Sequence, residues 1–419
     1  MTVEITRLEN GLTVATDAMA HLETSSLGIW VDTGARHETP RQHGISHMLE
    51  HMAFKGTARR SARDIAEEIE NAGGHLNAHT AQESTAYYAR VLKDDVPLAI
   101  DLLGDILQHS TFAADELERE RGVIIQEIGQ ANDTPDDLVF DHFLGAAFPG
   151  QALGRPILGT VNTVSGFGHD DLQGYMDERY SAQSMVLVGA GAVDHEALVA
   201  HARDVFGDLP SQPARGFDAA RFEGGDRHEE RDLEQAHLIV GFDGVPYGDP
   251  DYYAAQVASA ILGGGMSSRL FQEVREKRGL CYTVFSFAWS FSDTGAFGFY
   301  AGTDPQDLGE LVSVAAGEAC RLGEDVTGAE VSRARAQMKA GLLMALESSS
   351  SRIEQIARQY MIYGRVLSME ETLRQVDAVD ADAVKKAARR IFRGKRPAVA
   401  AVGPLDGLES YEKIAAHFA

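Results

Sequence analysis

Residues Gly44 to Phe54 read GISHMLEHMAF, and this stretch holds the most informative pattern in the chain. Its two histidines, His47 and His51, are four positions apart. In a helix, residues four apart lie on the same face, so both imidazoles would point in the same direction. The methionine and leucine residues around them are apolar and favour helix formation. The stretch therefore predicts a buried helix whose polar face carries both histidines.

These histidines and Glu50 form a candidate metal site. Two imidazoles on one helix face can bind a zinc ion, and Glu50 would lie over the same position. A zinc ion beside a carboxylate base can split a peptide bond with water. A five-residue pattern also arises by chance, so two histidines and a glutamate that merely share a polar helix face are the alternative interpretation.

Length and charge limit the classes of protein to consider. The chain has 419 residues, which favours two or more domains, and a formal net charge of −25. Such an acidic surface repels nucleic acids and anionic membranes. It would suit basic peptides rich in lysine and arginine, but for the charge alone we favour the interpretation that acidity only keeps the protein soluble. No apolar run reaches the roughly 20 residues that span a bilayer.

The first residues and the cysteines bear on the cellular compartment. The sequence begins without the basic and apolar segments of a signal peptide, so we expect a soluble, cytoplasmic protein. Cys281 and Cys320 show neither C-x-x-C spacing nor a second pair. We interpret them as buried thiols, not as a disulfide or a metal site.

A change of composition divides the chain. Proline, glycine and charged residues dominate between Pro210 and Glu234, which predicts a linker at residues 213–233 between domains at 1–212 and 234–419. After the linker, the order of predicted strands and helices repeats that of the first half. The repeat places Ala255, Ala258 and Ser259 where the first half has its histidine motif. Only the first domain would therefore carry the metal chemistry.

A catalytic zinc usually has three protein ligands, so two histidines are not enough. A helix predicted over residues 114–130 offers Glu120 and Glu127, which are seven apart and share a face. Glu127 follows an apolar run, and a partly buried carboxylate needs a partner such as a metal. A solvated helix charge is the alternative. His75 and His79 lie in a predicted strand, about 13 Å apart, which is too far for one ion.

Several further stretches resemble the pitrilysin and insulin-degrading enzyme family of inverted zincins. The resemblance is greatest to the β-subunits of mitochondrial processing peptidases and their bacterial homologues. It implies an α+β fold of two similar domains, each a mostly antiparallel sheet with helices packed on one face, that face each other as a half-clamshell. The matching stretches follow the family's order and spacing: 44–57, 77–87, 118–127, 153–159 and 267–282.

The resemblance implies a zinc metalloendopeptidase with one Zn²⁺ per chain. It makes His47, His51 and Glu127 the metal ligands. Glu50 becomes the base that takes a proton from the attacking water. Glu120 takes a position behind the ligands, where it orients one of them.

The family also implies how substrate is held. Asn77 and Ala78 match an edge strand that pairs with the substrate backbone. Arg275 and Tyr282 match a pair in the second domain that closes over the zinc site. Tyr282 would donate a hydrogen bond to the developing oxyanion, and Arg275 would hold substrate carbonyl groups. Judged without the family, these two residues are an exposed helix cation and an aromatic residue on a strand.

Asp137 and Asp141 match acidic positions that, in processing-peptidase β-subunits, receive a substrate arginine just before the cut. The two residues are four apart on a predicted helix, so both carboxylates could face one guanidinium group. A solvated acidic face is the alternative interpretation.

The family also suggests a partner chain. Its long single-chain members fuse four such domains, and this chain is much shorter. We therefore expect a homodimer, or a heterodimer with an inactive sister chain, that closes a chamber around short or unfolded peptides. The competing class is a non-catalytic assembly or peptide-binding subunit, because relatives in respiratory complexes have lost their zinc residues.

Overall fold

The computed structural model describes residues 3–213 and 216–419. This part of the chain forms the strands β1 (Glu4–Arg7), β2 (Thr13–Ala18), β3 (Thr24–Val31), β4 (His75–Thr80), β5 (Thr85–Leu92), β6 (Met185–Gly191), β7 (Gly225–Glu230), β8 (Ala236–Asp243), β9 (Cys281–Ser290), β10 (Gly295–Thr303) and β11 (Ala398–Gly403).

Most of the remaining structure is α-helical. The helices are α1 (Ile45–Met52), α2 (Ala62–Asn71), α3 (Val96–Gln108), α4 (Ala114–Asn132), α5 (Pro135–Ala147), α6 (Val161–Gly166), α7 (His169–Arg179), α8 (His195–Phe206), α9 (Tyr252–Gly263), α10 (Leu308–Arg321), α11 (Gly328–Ala345), α12 (Ser349–Tyr363), α13 (Met369–Asp377), α14 (Ala381–Phe392) and α15 (Tyr411–Ala416). In the described residues, no helix has both the length and the apolar character needed to cross a membrane.

The chain divides into two compact units, and each unit takes a segment from the other half of the sequence. The first unit comprises Met1–Gly129, Pro156–Asp218 and Met344–Val366. The second unit comprises Gln130–Arg155, Ala219–Leu343 and Leu367–Ala419. Helix α5 thus belongs to the second unit, and helix α12 belongs to the first.

The first unit is built on a six-stranded sheet in the order β1-β2-β6-β3-β5-β4. All neighbouring strands are antiparallel except β2 and β6. Strand residues alternate between two faces. Ile29 and Leu187 pack with helices that include α1, α3 and α8, whereas Trp30 and Val186 pack on the opposite face with α12. The sheet is therefore covered on both faces.

The second unit repeats this plan. Its sheet has the order β7-β11-β8-β10-β9. This is the order β2-β6-β3-β5-β4 of the first sheet, with each strand replaced by the strand that comes five places later in the sequence. The parallel pair recurs as well, now between β7 and β11. Helices α9, α10 and α14 cover one face, and α5 covers the other. The predicted α+β class, with two similar and mostly antiparallel sheets, is confirmed.

The division into units differs from a simple cut at residues 213–233 in two ways. Helices α5 and α12 each lie in the unit of the other sequence half. In addition, the predicted linker contains strand β7, while its residues 214–215 lie outside the described part. The strand is polar because it lies at a sheet edge, where most of its side chains face solvent. A polar edge strand has no apolar alternation that would reveal it.

A buried ion pair fixes helix α12 on the first sheet. The Nε atom of Arg352 donates a hydrogen bond of 2.5 Å to Asp17 Oδ2, and both side chains are buried. Ser26 on β3 and Ser349 at the start of α12 share a further hydrogen bond of 2.8 Å between their hydroxyl groups. These polar contacts set the position of a helix whose apolar residues alone would allow it to slide.

We predict that Arg352→Met lowers the free energy of unfolding by about 3–5 kcal/mol, because it leaves the Asp17 carboxylate buried without its partner. Urea unfolding followed by circular dichroism measures the change. Arg358→Met is the matched control, since Arg358 is exposed on the same helix and should change stability by no more than about 0.5 kcal/mol. Equal unfolding midpoints for both variants would contradict the assigned role of the ion pair.

Candidate metal centre

Helix α1 presents the histidine motif because its apolar residues are buried in the core of the first unit. Ile45, Met48, Leu49 and Met52 are at most 2% exposed. His47, Glu50 and His51 are partly exposed on the remaining side of the helix. The predicted helix and its polar face are therefore as expected from the periodicity of the sequence.

Helix α4 brings the third candidate ligand. Its residues Leu117 and Ile124 are buried in the same core as α1. This packing orients the helix, and it places Glu120 and Glu127, two turns apart, on the side of the histidines. Glu120 is buried, whereas the Glu127 side chain is 37% exposed.

The three candidate ligands come together at distances that suit a metal ion. Glu127 Oε2 lies 3.7 Å from His47 Nε2 and 3.4 Å from His51 Nε2. One ligand atom from each residue lies within 4.8 Å of the other two. Two ligands of a tetrahedral zinc ion, each about 2.1 Å from the metal, lie about 3.4 Å apart. The donor set of two imidazoles and one carboxylate thus fits zinc, and no other such group occurs in residues 3–213 and 216–419.

His47 is held in the protonation state that a metal ligand needs. Burial, together with a smaller contribution from the charge of His51, lowers the pKa of His47 to about 4. A neutral imidazole keeps the lone pair that binds a metal. Its Nδ1 atom is buried without a hydrogen-bond partner in the described part of the chain. The position of this ring therefore depends on packing and on the backbone of α1.

His51 is oriented by a pair of charged residues behind it. Its Nδ1 atom lies 3.0 Å from Glu120 Oε2, and Lys55 Nζ donates to Glu120 Oε1 at 2.8 Å. Burial raises the pKa of Glu120, but the hydrogen bonds from Lys55 and His51 outweigh this effect and hold it below its usual value. An ionised Glu120 accepts a hydrogen bond from the Nδ1–H group of His51 and leaves Nε2 free to bind a metal. Lys55 was not singled out from the sequence, where a lysine after the motif carries no distinctive spacing.

The charge of Glu50 influences a group of buried tyrosines that the sequence analysis did not single out. Burial raises the pKa of Tyr87 well above its usual value, and the negative charge of Glu50 contributes to that rise. Burial also raises the pKa of Tyr180 to about 12, again with a contribution from Glu50. The two hydroxyl groups are 3.1 Å apart. Both phenols therefore stay neutral near the Glu50 carboxylate.

Strand β4 runs along the edge of the first sheet and contacts α1. In the described structure it pairs with β5 on one side only. Asn77 is exposed on this strand, and its Oδ1 accepts the backbone N–H of Ala78 at 2.9 Å. His75 and His79 lie on the same strand, outside the group of candidate ligands. The free edge offers backbone groups to an extended peptide.

Arg275 and Tyr282 belong to the second unit and contact each other there. Arg275 lies in a π-helical turn, Phe271–Glu276, and π-helical turns frequently occur at functional sites. Its guanidinium carbon lies 4.7 Å from the centre of the Tyr282 ring and 4.8 Å from that of Phe271. The Tyr282 residue is 74% exposed. The closure of this pair over the metal centre stays a prediction.

Asp137 and Asp141 lie on α5 of the second unit, one helical turn apart. Burial raises the pKa of Asp141 to about 6, with Arg227 lowering it and Asp137 raising it. The two carboxylates are close enough to influence each other, as the predicted spacing requires. Their place relative to the metal centre also stays a prediction.

Comparison with known proteins identifies the family. Residues 13–161 match the model described as Insulinase (Peptidase family M16), and residues 166–338 match the Peptidase M16 inactive domain. An uncharacterized zinc protease of Rickettsia felis is 40% identical over 96% of this chain and 98% of its own. The mitochondrial-processing peptidase subunit beta of Lentinula edodes is 39% identical over 98% of this chain and 92% of its own.

Solved structures show the same fold. A chain of complex III2 from Candida albicans superposes with a TM-score of 0.88 at 24% identity, covering 99% of both chains. A protease from Helicobacter pylori superposes with a TM-score of 0.90 at 20% identity, covering 96% of this chain and 99% of that one. Together with the sequence matches, the fold and the site define a zinc metallopeptidase. The chain belongs to peptidase family M16.

We predict that Glu120→Gln weakens zinc binding by about 10- to 100-fold, the usual effect of losing a residue that orients a ligand. Competition between the protein and a chromophoric chelator measures the dissociation constant. Glu118→Gln is the control, because the Glu118 side chain is 73% exposed on the same helix. The role of Glu120 would be refuted by equal zinc affinities of the two variants.

Proposed function

We propose that this chain is a zinc-dependent endopeptidase that cleaves short or unfolded peptides and prefers arginine near the cut. The main support for the proposal is the position of three candidate ligands. One ligand atom from each of His47, His51 and Glu127 lies within 4.8 Å of the other two. Glu50 lies one turn from His47 on the same short helix, which suits a base next to the metal. Membership of a peptidase family supports the choice of reaction.

In this proposal His47, His51 and Glu127 bind one zinc ion, and Glu120 holds His51 in place. Zinc, when bound, supplies Lewis-acid activation of the scissile carbonyl group and of water. A carboxylate oxygen of Glu50 accepts the proton of the attacking water and then delivers it to the nitrogen of the leaving amine.

The second unit would complete the reaction site. Tyr282 would donate a hydrogen bond to the developing oxyanion, and Arg275 would hold neighbouring substrate carbonyl groups. The stacking of Arg275 on two aromatic rings supports this role, because it fixes a long cationic side chain beside the exposed tyrosine.

We expect Glu50→Gln to retain zinc while its turnover number falls by at least about 100-fold, the contribution of a lost general base. Zinc content is measured by elemental analysis, and cleavage is measured on an internally quenched peptide. Glu67→Gln on the exposed side of α2 is the control and should cleave normally. A Glu50→Gln protein that cleaves at the wild-type rate would show that the mechanism is wrong.

The edge strand β4 would bind the substrate backbone as an added strand at Asn77 and Ala78. The side-chain oxygen of Asn77 accepts the backbone N–H of Ala78. A carbonyl oxygen of the substrate would replace it as the acceptor of this N–H. A surface cavity of about 270 Å³ lies beside the strand. Its apolar wall suits a large apolar substrate side chain, and it is lined by Phe54, Ile65, Ile69 and Leu76 among others.

Asp137 and Asp141 would bind the substrate arginine. A guanidinium group between two carboxylates gains charge-assisted hydrogen bonds. The burial that raises the pKa of Asp141 also removes competing water, which strengthens such a contact. The acidic character of the whole chain, with a net charge of −25, favours the approach of basic peptides.

We predict that Asp137→Asn combined with Asp141→Asn reduces kcat/KM for an arginine peptide by about 10- to 100-fold relative to the matched alanine peptide. Asp133→Asn, in the exposed turn before α5, is the control. In the wild-type protein, the arginine-to-alanine ratio should fall as the pH drops through about 6, because Asp141 then takes up a proton and loses its charge. A ratio that changes with neither pH nor mutation would exclude this pocket.

The chain would work as a homodimer, or with an inactive sister chain, to close a chamber around the peptide. The competing function is a non-catalytic assembly or peptide-binding subunit. The complete set of candidate ligands and the base favours the enzyme. Cleavage of a defined peptide library that a chelator abolishes and zinc restores would separate the two functions.

A further inference from the structure

The start of helix α1 is capped by a residue outside the histidine motif. The first four N–H groups of a helix have no partner within it. Here Glu38 Oε2 accepts the N–H of Gly44, and Glu38 Oε1 accepts the N–H of Ser46, both at 2.8 Å. The carbonyl oxygen of Gln42 accepts the N–H of Ile45, also at 2.8 Å. Both oxygens of the Glu38 carboxylate are thus committed to the first turn of α1.

The helix cannot be capped locally, which explains why a residue six positions earlier is used. Gly44 has a φ angle of 94°, a conformation that favours glycine. It also lies against Gly159, so that a Cβ atom on Gly44 would come within 2.8 Å of Gly159 Cα. No side chain fits at the usual capping position. The Glu38 carboxylate replaces it, and its negative charge at the positive end of the helix adds to the stabilisation.

This cap bears directly on one of the two histidines. His47 follows Ser46, whose N–H is held by Glu38. The ring of His51 is also fixed by its hydrogen bond to Glu120, whereas His47 Nδ1 has no hydrogen-bond partner in the described residues. The first turn of α1 therefore sets where His47 Nε2 lies relative to the other two ligand atoms. Glu38 is only 4% exposed, so its carboxylate is fixed within the fold.

We propose that Glu38 is a positioning residue for the metal centre, which places His47 through the first turn of α1. The inference rests on the proposed zinc site and goes beyond it, because Glu38 is neither one of the candidate ligands nor one of the residues assigned to the reaction. Loss of the cap lets the first turn of the helix fray, and the distance from His47 Nε2 to Glu127 Oε2 then varies. Zinc binds more weakly to a site whose ligands are not held in place.

The test compares Glu38→Ala with Ser61→Ala in the full-length protein. Ser61 caps helix α2 by accepting the N–H of Asp64 at 3.2 Å, and α2 carries none of the candidate ligands. Each variant removes a side-chain cap from the start of one of two successive helices of the same unit. Glu38→Gln serves as a third variant, because it retains one carbonyl oxygen that can accept a backbone N–H and keeps the test decisive if the alanine variant fails to fold. Zinc affinity of the metal-free protein is measured against a chelator, thermal midpoints are measured without metal, and Co²⁺ absorption reports the coordination geometry.

We expect the zinc dissociation constant to rise at least about 10-fold in Glu38→Ala, by a smaller factor in Glu38→Gln, and less than about twofold in Ser61→Ala. The Co²⁺ spectrum should change in the Glu38 variants alone. The inference is overturned if zinc affinity falls equally in the Ser61 and Glu38 variants, or if both Glu38 variants bind zinc like the wild type. A wild-type protein that binds no zinc would overturn the proposed function as well, which distinguishes the two failures.

Discussion

The proposed metal centre requires three electron-pair donors on two helices to stay a few ångströms apart, and this requirement depends on contacts from several parts of the first unit. Helix α1 has only eight residues, so it has little stability of its own. It is held through its buried apolar face, through Glu38 at its first turn and through Glu120 at His51. Each contact comes from a different part of the chain. The metal centre is therefore a product of tertiary packing more than of the motif itself.

The second unit shows what remains when this constraint is absent. Its sheet has the same strand order as the first, and α9 takes the place in the repeat that α1 has in the first unit. Where histidines would stand, α9 has Ala255, Ala258 and Ser259, and all three are buried. Small side chains allow close packing, which a pair of imidazoles would prevent. The architecture is thus stable without the metal ligands, in agreement with the match to an inactive domain.

The sequence predicted the features that depend on local periodicity. The spacing of His47 and His51 defined a helix face, and the strand that holds His75 and His79 was expected as well. The sequence did not predict which sheet α5 and α12 would cover, because an amphipathic helix does not specify its partner. Strand β7 was missed because it is polar. Glu38 and Lys55 were missed because contacts from outside the motif leave no pattern within it.

The exchange of helices makes the first unit dependent on the second half of the chain. Strand β3 directs Ile29 towards the face that carries the metal centre and Trp30 towards α12. Removing α12 would expose the apolar surface around Trp30 and leave the buried carboxylate of Asp17 without Arg352. Burying an unpaired charge or exposing a sheet face costs several kcal/mol, which is comparable to the stability of a whole domain. The candidate metal ligands can therefore not be separated as one continuous N-terminal segment, although all of them lie before residue 130.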